Sequence, residues 1–240
     1  MFHILEKLCY TGKESEGKQK ISEVNMGDTA VADSYRVLLS GGEGEIVEKK
    51  SRFIATIRKC ETEEEAVAFI EEMKKKYWDA RHNCSAFIIG SRGELTRCSD
   101  DGEPSGTAGR PMLEVLTGSG IRNIAVVVTR YFGGTLLGTG GLVRAYTQAV
   151  KEGLAHCETG ILRKGCELEV ATDYNDVGKL QYYFGQQGIV PVDSIYAENV
   201  KFILRIPVEN EEKVRKNLTE TTCGKVKIEK LKETYFVDKE

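Results

Sequence analysis

The sequence has few of the residues that build metal centres or disulfide frameworks. Histidine occurs only three times in 240 residues, at His3, His82 and His156, and the seven cysteines form no Cys-x-x-Cys pair. No spacing of histidine and cysteine matches a zinc site. An odd number of scattered cysteines is typical of reduced thiols in the cytosol. The sequence therefore predicts no metal site of cysteine and histidine ligands, and a cytoplasmic location.

Long apolar runs and a strong charge of either sign are also absent. No stretch approaches the roughly 18 consecutive apolar residues of a membrane span, which argues against a membrane protein. The formal net charge is −3, so the chain as a whole lacks the basic character of a strong nonspecific nucleic-acid binder. Any contact with nucleic acid must therefore come from a local patch.

What the chain does contain is enough to fold as two domains. Apolar residues make up 40% and charged residues 30%, and a domain usually takes about 100–200 residues. Because the composition changes after Gly160, we predict an α+β fold with an N-terminal domain at residues 29–158 and a C-terminal domain at 161–236. Residues 1–28 are interpreted as a disordered leader. The alternative for residues 1–25 is an artefact of start-codon choice, because Met26 precedes the first predicted strand.

Apolar periodicity predicts the elements of the N-terminal domain. Strands are predicted at residues 35–39, 44–50, 51–58, 84–89, 94–97 and 124–129. The last is expected to be central because it is a continuous β-branched run. Thr62 followed by Glu65 forms a capping box, which predicts a helix as far as Lys76. Two further helices are predicted at residues 110–117 and 142–157.

The C-terminal domain shows a different order of elements. Strands are predicted at residues 166–171, 189–196, 200–208 and 226–236, with helices at 175–187 and 210–218. The order is βαββαβ, which is typical of a ferredoxin-like domain. The boundary between the two domains is expected near residues 158–164.

A glycine-rich segment at residues 130–141 lies between a predicted strand and a predicted helix. At such a position backbone N–H groups and the helix dipole can hold an anion. The segment lacks the Gly-Lys-Ser/Thr of a Walker A loop and the third glycine of a dinucleotide fingerprint. Two interpretations remain open: its glycines bind an anion, or they only permit unusual backbone angles and close packing. These glycines are Gly133, Gly134, Gly138, Gly140 and Gly141.

Arginine is the only basic residue between residues 77 and 150, where lysine is absent. Its planar guanidinium suits paired hydrogen bonds to phosphate or carboxylate and stacking on aromatic rings. Arg130 lies just past a buried strand, where a side chain can reach a ligand. The alternative is that the arginines pair with nearby acidic residues and hold the loops together. The candidate anion- or nucleic-acid-binding residues, besides the glycines, are Arg81, His82, Arg110, Arg130, Tyr131, Phe132 and Arg144.

Three acidic residues, Asp100, Asp101 and Glu103, lie in a predicted loop at residues 100–109. They are candidates for Mg²⁺ ligands or for an acid and a base. Acidic side chains in a turn of this composition also serve simply to accept backbone hydrogen bonds. His82 and Cys84 share one face of a predicted strand, but two neighbours on one face do not make a catalytic triad. His82 is interpreted as a packed or hydrogen-bonded residue. No catalytic residue is assigned.

Two consequences follow for the glycine-rich segment. The helix and strand between it and the acidic loop form one unit whose flanking loops lie at the same end of a sheet when connections are short. We therefore predict that the two loops meet in space. From the position of Arg130, its replacement by alanine is predicted to abolish function and to leave the fold largely intact.

Three blocks of the sequence resemble the YigZ/IMPACT family. They are Arg-His-Asn-Cys at residues 81–84, Asp-Asp-Gly-Glu-Pro-Ser-Gly-Thr-Ala-Gly at 100–109, and the segment from Arg130 to Tyr146. The resemblance implies an N-terminal fold like the second domain of a small-subunit ribosomal protein and domain IV of elongation factor G. It implies a C-terminal domain like the last domain of that factor. It implies no cofactor and no catalytic residue.

The resemblance also implies a link to translation, because the eukaryotic relatives engage a ribosome-associated activator of a stress kinase. The leading hypothesis is a noncatalytic RNA- or ribosome-associated protein that regulates translation and binds phosphate through the glycine- and arginine-rich segment. One alternative is an enzyme acting on a phosphorylated or carboxylated small molecule, with the acidic residues as acid, base or Mg²⁺ ligands. Another is a protein-binding module in stress signalling.

Overall fold

The structure, a computed structural model, describes residues 34–239 as a mixed α+β fold with two sheets. The leader predicted at residues 1–28 lies outside the described residues. The strands are β1 Ser34–Ser40, β2 Gly42–Glu48, β3 Ser51–Lys59, β4 His82–Ile89, β5 Leu95–Ser99, β6 Ile121–Arg122, β7 Ile124–Tyr131, β8 Glu158–Thr172, β9 Asp193–Tyr196, β10 Val200–Pro207 and β11 Lys227–Lys239. The helices are α1 Glu63–Lys76, α2 Gly109–Ser119, α3 Gly138–Ala155, α4 Val177–Gln187 and α5 Glu211–Thr221. Within residues 34–239, no helix has the length and apolar character needed to span a membrane.

The first sheet has the strand order β2-β3-β7-β4-β5, and every neighbouring pair is antiparallel. The prediction of a central β-branched strand is confirmed, because β7 lies in the middle. Val126 and Val128 pack with α2 and α3 on one face, and Val127 packs with α1 on the other. Burial on both faces explains why the run is apolar at every position.

The start of α1 confirms the predicted cap. Thr62 is the N-cap residue, and its side chain accepts a hydrogen bond from the backbone N–H of Glu65 at 3.2 Å. Acidic residues occupy the first turn and lysines the last, which suits the helix dipole. Local chemistry alone therefore fixes the beginning of this helix.

The second sheet is built around β8, a strand of 15 residues. On one edge β8 pairs with β11 along most of its length, and on the other it pairs first with β1 and then with β10. The predicted start at Cys166 is wrong, because the strand already begins at Glu158. Arg163 and Lys164 obscure its apolar alternation, but they form ion pairs with Asp238 and Glu233 of β11. The predicted boundary at residues 158–164 thus falls inside a continuous strand, and β1 joins the second sheet.

The elements from β8 onward follow the predicted order of strand, helix, strand, strand, helix, strand. Helices α4 and α5 pack on one face of this sheet through Leu180 and Leu218, among others. The other face carries cross-strand ion pairs such as Glu167 with Arg205 at 2.7 Å. The strand predicted at residues 189–196 is shorter, at Asp193–Tyr196, because Pro191 has no N–H for a strand ladder.

The glycine-rich segment is less of a loop than predicted. Strand β7 continues through Tyr131, and α3 begins at Gly138 instead of Leu142. The glycines at residues 138, 140 and 141 therefore lie in the first turn of the helix. Leu142 and Tyr146 anchor α3 in the core, and this packing outweighs the low helix propensity of glycine.

Candidate functional site

A cleft of about 430 Å³ lies between the acidic loop, residues 100–109, and the glycine-rich segment, residues 130–141. The prediction that these two loops meet is therefore confirmed. They meet because β5 and β7 both pair antiparallel with β4, so that the ends of both strands lie beside the start of β4. Ser99, the last residue of β5, is opposite Ser85, and Arg130 is opposite His82. The cleft is lined by Arg81, His82, Gly102, Glu103, Pro104, Arg130, Phe132, Leu136, Leu137, Gly138, Thr139 and Leu142.

Asp100 holds the acidic loop in shape. Its carboxylate accepts backbone N–H bonds from Gly106 at 2.8 Å, Ala108 at 3.0 Å and Gly109 at 2.8 Å. Burial alone would raise the pKa of Asp100. The three hydrogen bonds together lower it by more than burial raises it, so the pKa of Asp100 lies below its ordinary value. The carboxylate of Asp101 accepts the N–H of Asn83 at 2.7 Å. Both side chains thus act as acceptors of backbone hydrogen bonds.

The floor of the cleft is a buried ion pair. Nη1 of Arg130 lies 2.6 Å from Oε1 of Glu103, and their side chains are 7% and 3% exposed. The hydroxyl of Tyr146 donates to the same carboxylate oxygen at 2.8 Å. The guanidinium lies 5.4 Å from the ring centre of Phe53 and 5.7 Å from that of Phe132. Arg130 therefore holds the two loops together, although it also lines the cleft.

Two further groups in this network are kept neutral by burial. The thiol of Cys84 lies 3.0 Å from the carbonyl oxygen of Asp100 and 3.3 Å from the hydroxyl of Tyr146. Burial raises the pKa of Cys84 to about 12 and also raises the pKa of Tyr146. A thiol with so high a pKa is protonated at neutral pH, so Cys84 is not an activated nucleophile.

The N-terminus of α3 opens on the cleft without a side-chain cap. Leu137 occupies the N-cap position, no acidic residue lies in the first turn, and Gly138 and Thr139 line the cleft. The first N–H groups of the helix and its dipole therefore favour an anion at this point. Gly138 has φ +71°, and a Cβ there would contact nothing within 4 Å, so the backbone is open on this side.

The other glycines divide between the two interpretations. Gly133 is a packing glycine, because a Cβ would overlap the backbone of Lys50 and its N–H donates to Ser51 Oγ at 3.1 Å. Gly134 has φ +84° with open space around it, so it provides a turn that other residues rarely adopt. Gly141 packs closely against Leu137.

Several predicted site residues are not among those that line the cleft: the glycines at 133, 134, 140 and 141, the acidic residues Asp100 and Asp101, and the three side chains described next. Arg110 pairs with Glu114 on the exposed side of α2 at 3.2 Å. Tyr131 follows Arg130 in β7, so the two side chains lie on opposite faces of the sheet. The hydroxyl of Tyr131 donates to Asp79 at 2.8 Å. Arg144 is exposed on α3, one turn beyond Gly140.

The apolar walls of the cleft and the groups beneath it were not predicted from the sequence. Leu136, Leu137 and Pro104 line the cleft, and Phe53 and Tyr146 support Arg130. Tyr146 could have been identified from the sequence, because it places a hydroxyl on the otherwise apolar face of α3 formed by residues 142, 145, 149 and 150. For Phe53, 77 residues away from Arg130, the sequence contains no comparable signal.

Comparison with known proteins gives a consistent result along the chain. Residues 49–154 match the model of the Impact N-terminal domain, and residues 170–225 match a domain of unknown function, DUF1949. The chain is 41% identical over 205 residues to the IMPACT family member YvyE of Bacillus subtilis, which covers 85% of this chain and 94% of that protein.

Two further comparisons extend this result. The chain is 36% identical over 182 residues to the IMPACT family member YigZ of Escherichia coli, which covers 75% of this chain and 89% of that protein. A crystal structure of a hypothetical protein is similar with a TM-score of 0.54 and 32% identity, over 84% of this chain and 99% of that one. The chain therefore belongs to the IMPACT family.

Proposed function

We propose that this protein is a noncatalytic RNA- or ribosome-associated protein of the cytoplasm that regulates translation by binding single-stranded RNA in the cleft. One observation carries the proposal: Arg81, the half-exposed ring of Phe132 and the uncapped N-terminus of α3 line the same cleft. A cation, an aromatic face and free backbone N–H groups are the elements with which proteins bind a single strand.

Each wall of the cleft suits a different part of a nucleotide. The N-terminus of α3 and Arg81 supply donors and positive charge for a phosphate. Phe132, 50% exposed, offers a face on which an unpaired base can stack. Nε of Arg130 is buried without a hydrogen-bond partner among residues 34–239, which leaves one donor near the cleft unsatisfied.

The chemistry of the acidic loop supports binding over catalysis. Asp100 is engaged by three backbone N–H groups, and Glu103 is engaged by Arg130 and Tyr146. A general acid or base must reach its substrate and exchange a proton with it. Carboxylates committed to loop structure are poorly suited to that role.

The connectivity of the two sheets supports the same function by analogy with proteins that act on the ribosome. In the second sheet the elements β8-α4-β9-β10-α5-β11 form neighbours in the order β11-β8-β10-β9, which we assign to a ferredoxin-like domain. We propose that the first sheet belongs to a domain similar to the second domain of a small-subunit ribosomal protein and to domain IV of elongation factor G. The domains would then divide near Glu158, with β1 added to the second sheet.

A salt series with two arginine variants tests the proposal. Arg81→Ala should reduce the slope of log affinity against log salt by about 0.7, the value of one phosphate contact on a single strand. Arg110→Ala is the matched control, because Arg110 is also exposed but lies outside the cleft. The measurement is fluorescence polarisation of a labelled single-stranded RNA, with ribosome cosedimentation at the same salt concentrations.

Two outcomes would contradict the proposal. One is wild-type protein that binds neither RNA nor ribosomes at any salt concentration. The other is a slope that changes equally for Arg81→Ala and Arg110→Ala, because the cleft would then have no special part in binding.

A further inference from the structure

The imidazole of His82 is held in one tautomer. Its Nδ1 lies 2.8 Å from the carbonyl oxygen of Asp101. A carbonyl oxygen only accepts hydrogen bonds, so Nδ1 must carry the proton, and in the neutral ring Nε2 is left as an acceptor. The backbone of His82 is fixed as well, because it is the first residue of β4 and pairs with Arg130 in β7.

The group that fixes this tautomer is itself well anchored. The carboxylate of Asp101 accepts the N–H of Asn83, and the N–H of Asp101 donates to Ser99 Oγ at 3.2 Å. Asp101 has φ +42°, and such a left-handed conformation persists only where surrounding contacts hold it. The orientation of the His82 ring therefore does not depend on a ligand.

The second ring nitrogen of His82 has no such partner. His82 lines the cleft, and its Nε2 makes no hydrogen bond to any group within residues 34–239. The groups proposed above to hold a phosphate, Arg81 and the first N–H groups of α3, are all donors. A phosphate offers only acceptors and cannot bond to Nε2. In the neutral ring Nε2 is an acceptor, and an acceptor matches a hydroxyl group of the ligand.

A ribonucleotide carries such a hydroxyl where a deoxyribonucleotide carries none. We propose, on the basis of the proposed function, that Nε2 of His82 accepts a hydrogen bond from a ribose 2′-hydroxyl. The cleft thereby selects single-stranded RNA over single-stranded DNA. Arg81 and α3 contribute affinity for either nucleic acid, and His82 contributes the discrimination between them.

Three oligonucleotides of one sequence test this proposal: RNA, DNA and 2′-fluoro RNA. The 2′-fluoro strand keeps an RNA-like sugar conformation but has no 2′-O–H donor. Wild-type protein should bind RNA about fivefold more tightly than the 2′-fluoro strand, the effect of one neutral hydrogen bond. DNA, which also lacks the 2′-hydroxyl, should bind with the affinity of the 2′-fluoro strand.

His82→Asn is the matched variant. The asparagine amide nitrogen can replace Nδ1 as donor to the Asp101 carbonyl, but nothing replaces Nε2. We expect His82→Asn to bind all three strands equally, with the affinity that wild type shows for the 2′-fluoro strand. If the variant fails to fold, the comparison of the three strands on wild type still decides the question.

The outcomes separate this inference from the proposed function. Equal binding of RNA and 2′-fluoro RNA by wild type, with a normal salt slope, overturns the role of His82 and leaves RNA binding in the cleft intact. A preference for RNA that persists in His82→Asn overturns it as well. If wild type binds none of the three strands, the proposed function itself fails.

Discussion

Replacing Arg130 by alanine is expected to lower the free energy of unfolding by about 3–5 kcal/mol, because it leaves the buried carboxylate of Glu103 without its cation. This reverses the expectation from sequence, in which Arg130 was predicted to be replaceable without loss of the fold. Urea denaturation followed by circular dichroism measures the effect. Arg110→Ala is the control and should change stability by less than about 1 kcal/mol, since its pair with Glu114 is exposed.

A double variant tests whether the stability lost in Arg130→Ala comes from the unpaired buried charge of Glu103. When both partners of a buried ion pair are replaced by apolar residues, the desolvation cost of both charges disappears. Arg130→Met combined with Glu103→Leu should therefore recover part of the stability lost in Arg130→Ala. If Arg130→Ala is as stable as Arg110→Ala, the pair does not hold the two loops together.

Replacing Phe132 by alanine should weaken RNA binding by about 1–3 kcal/mol, the usual value of stacking one base on an aromatic ring. Stability should change little, because half of this side chain is exposed. Trp78→Ala is the matched control: Trp78 is 82% exposed and does not line the cleft. Binding of labelled single-stranded RNA to the three proteins measures the difference.

The outcome for Trp78→Ala decides how a loss in Phe132→Ala is understood. If only Phe132→Ala loses affinity, the base stacks in the cleft. If both variants lose affinity equally, exposed aromatic residues contribute nonspecifically, and the cleft is not the site.

The sequence predicted those elements whose signals are local. The cap at Thr62 depends on a residue three positions away, and the central strand β7 carries its burial in its own composition. The start of β8 and the start of α3 were misjudged because partners distant in sequence decide them. Strand β11 neutralises Arg163 and Lys164, and the core contacts of Tyr146 hold a helix that begins with glycines.

The candidate site was predicted in outline for a similar reason. Short connections on either side of one helix and strand predicted that the acidic loop and the glycine-rich segment would meet, and the lining of the cleft agrees. The role of Arg130 was not decided by its position next to a glycine-rich turn. Its partner Glu103 is 27 residues away, and only the packed structure determines which acidic residue of the loop it meets.

Ultraviolet cross-linking of bound single-stranded RNA, followed by mass spectrometry of the attached peptides, tests most directly whether the cleft binds RNA. The account predicts cross-links to Phe132 and to the neighbouring residues 136–139, which are lost in the presence of excess unlabelled RNA. Cross-links confined to the ion-paired face of the second sheet, around Glu167 and Arg205, would contradict it.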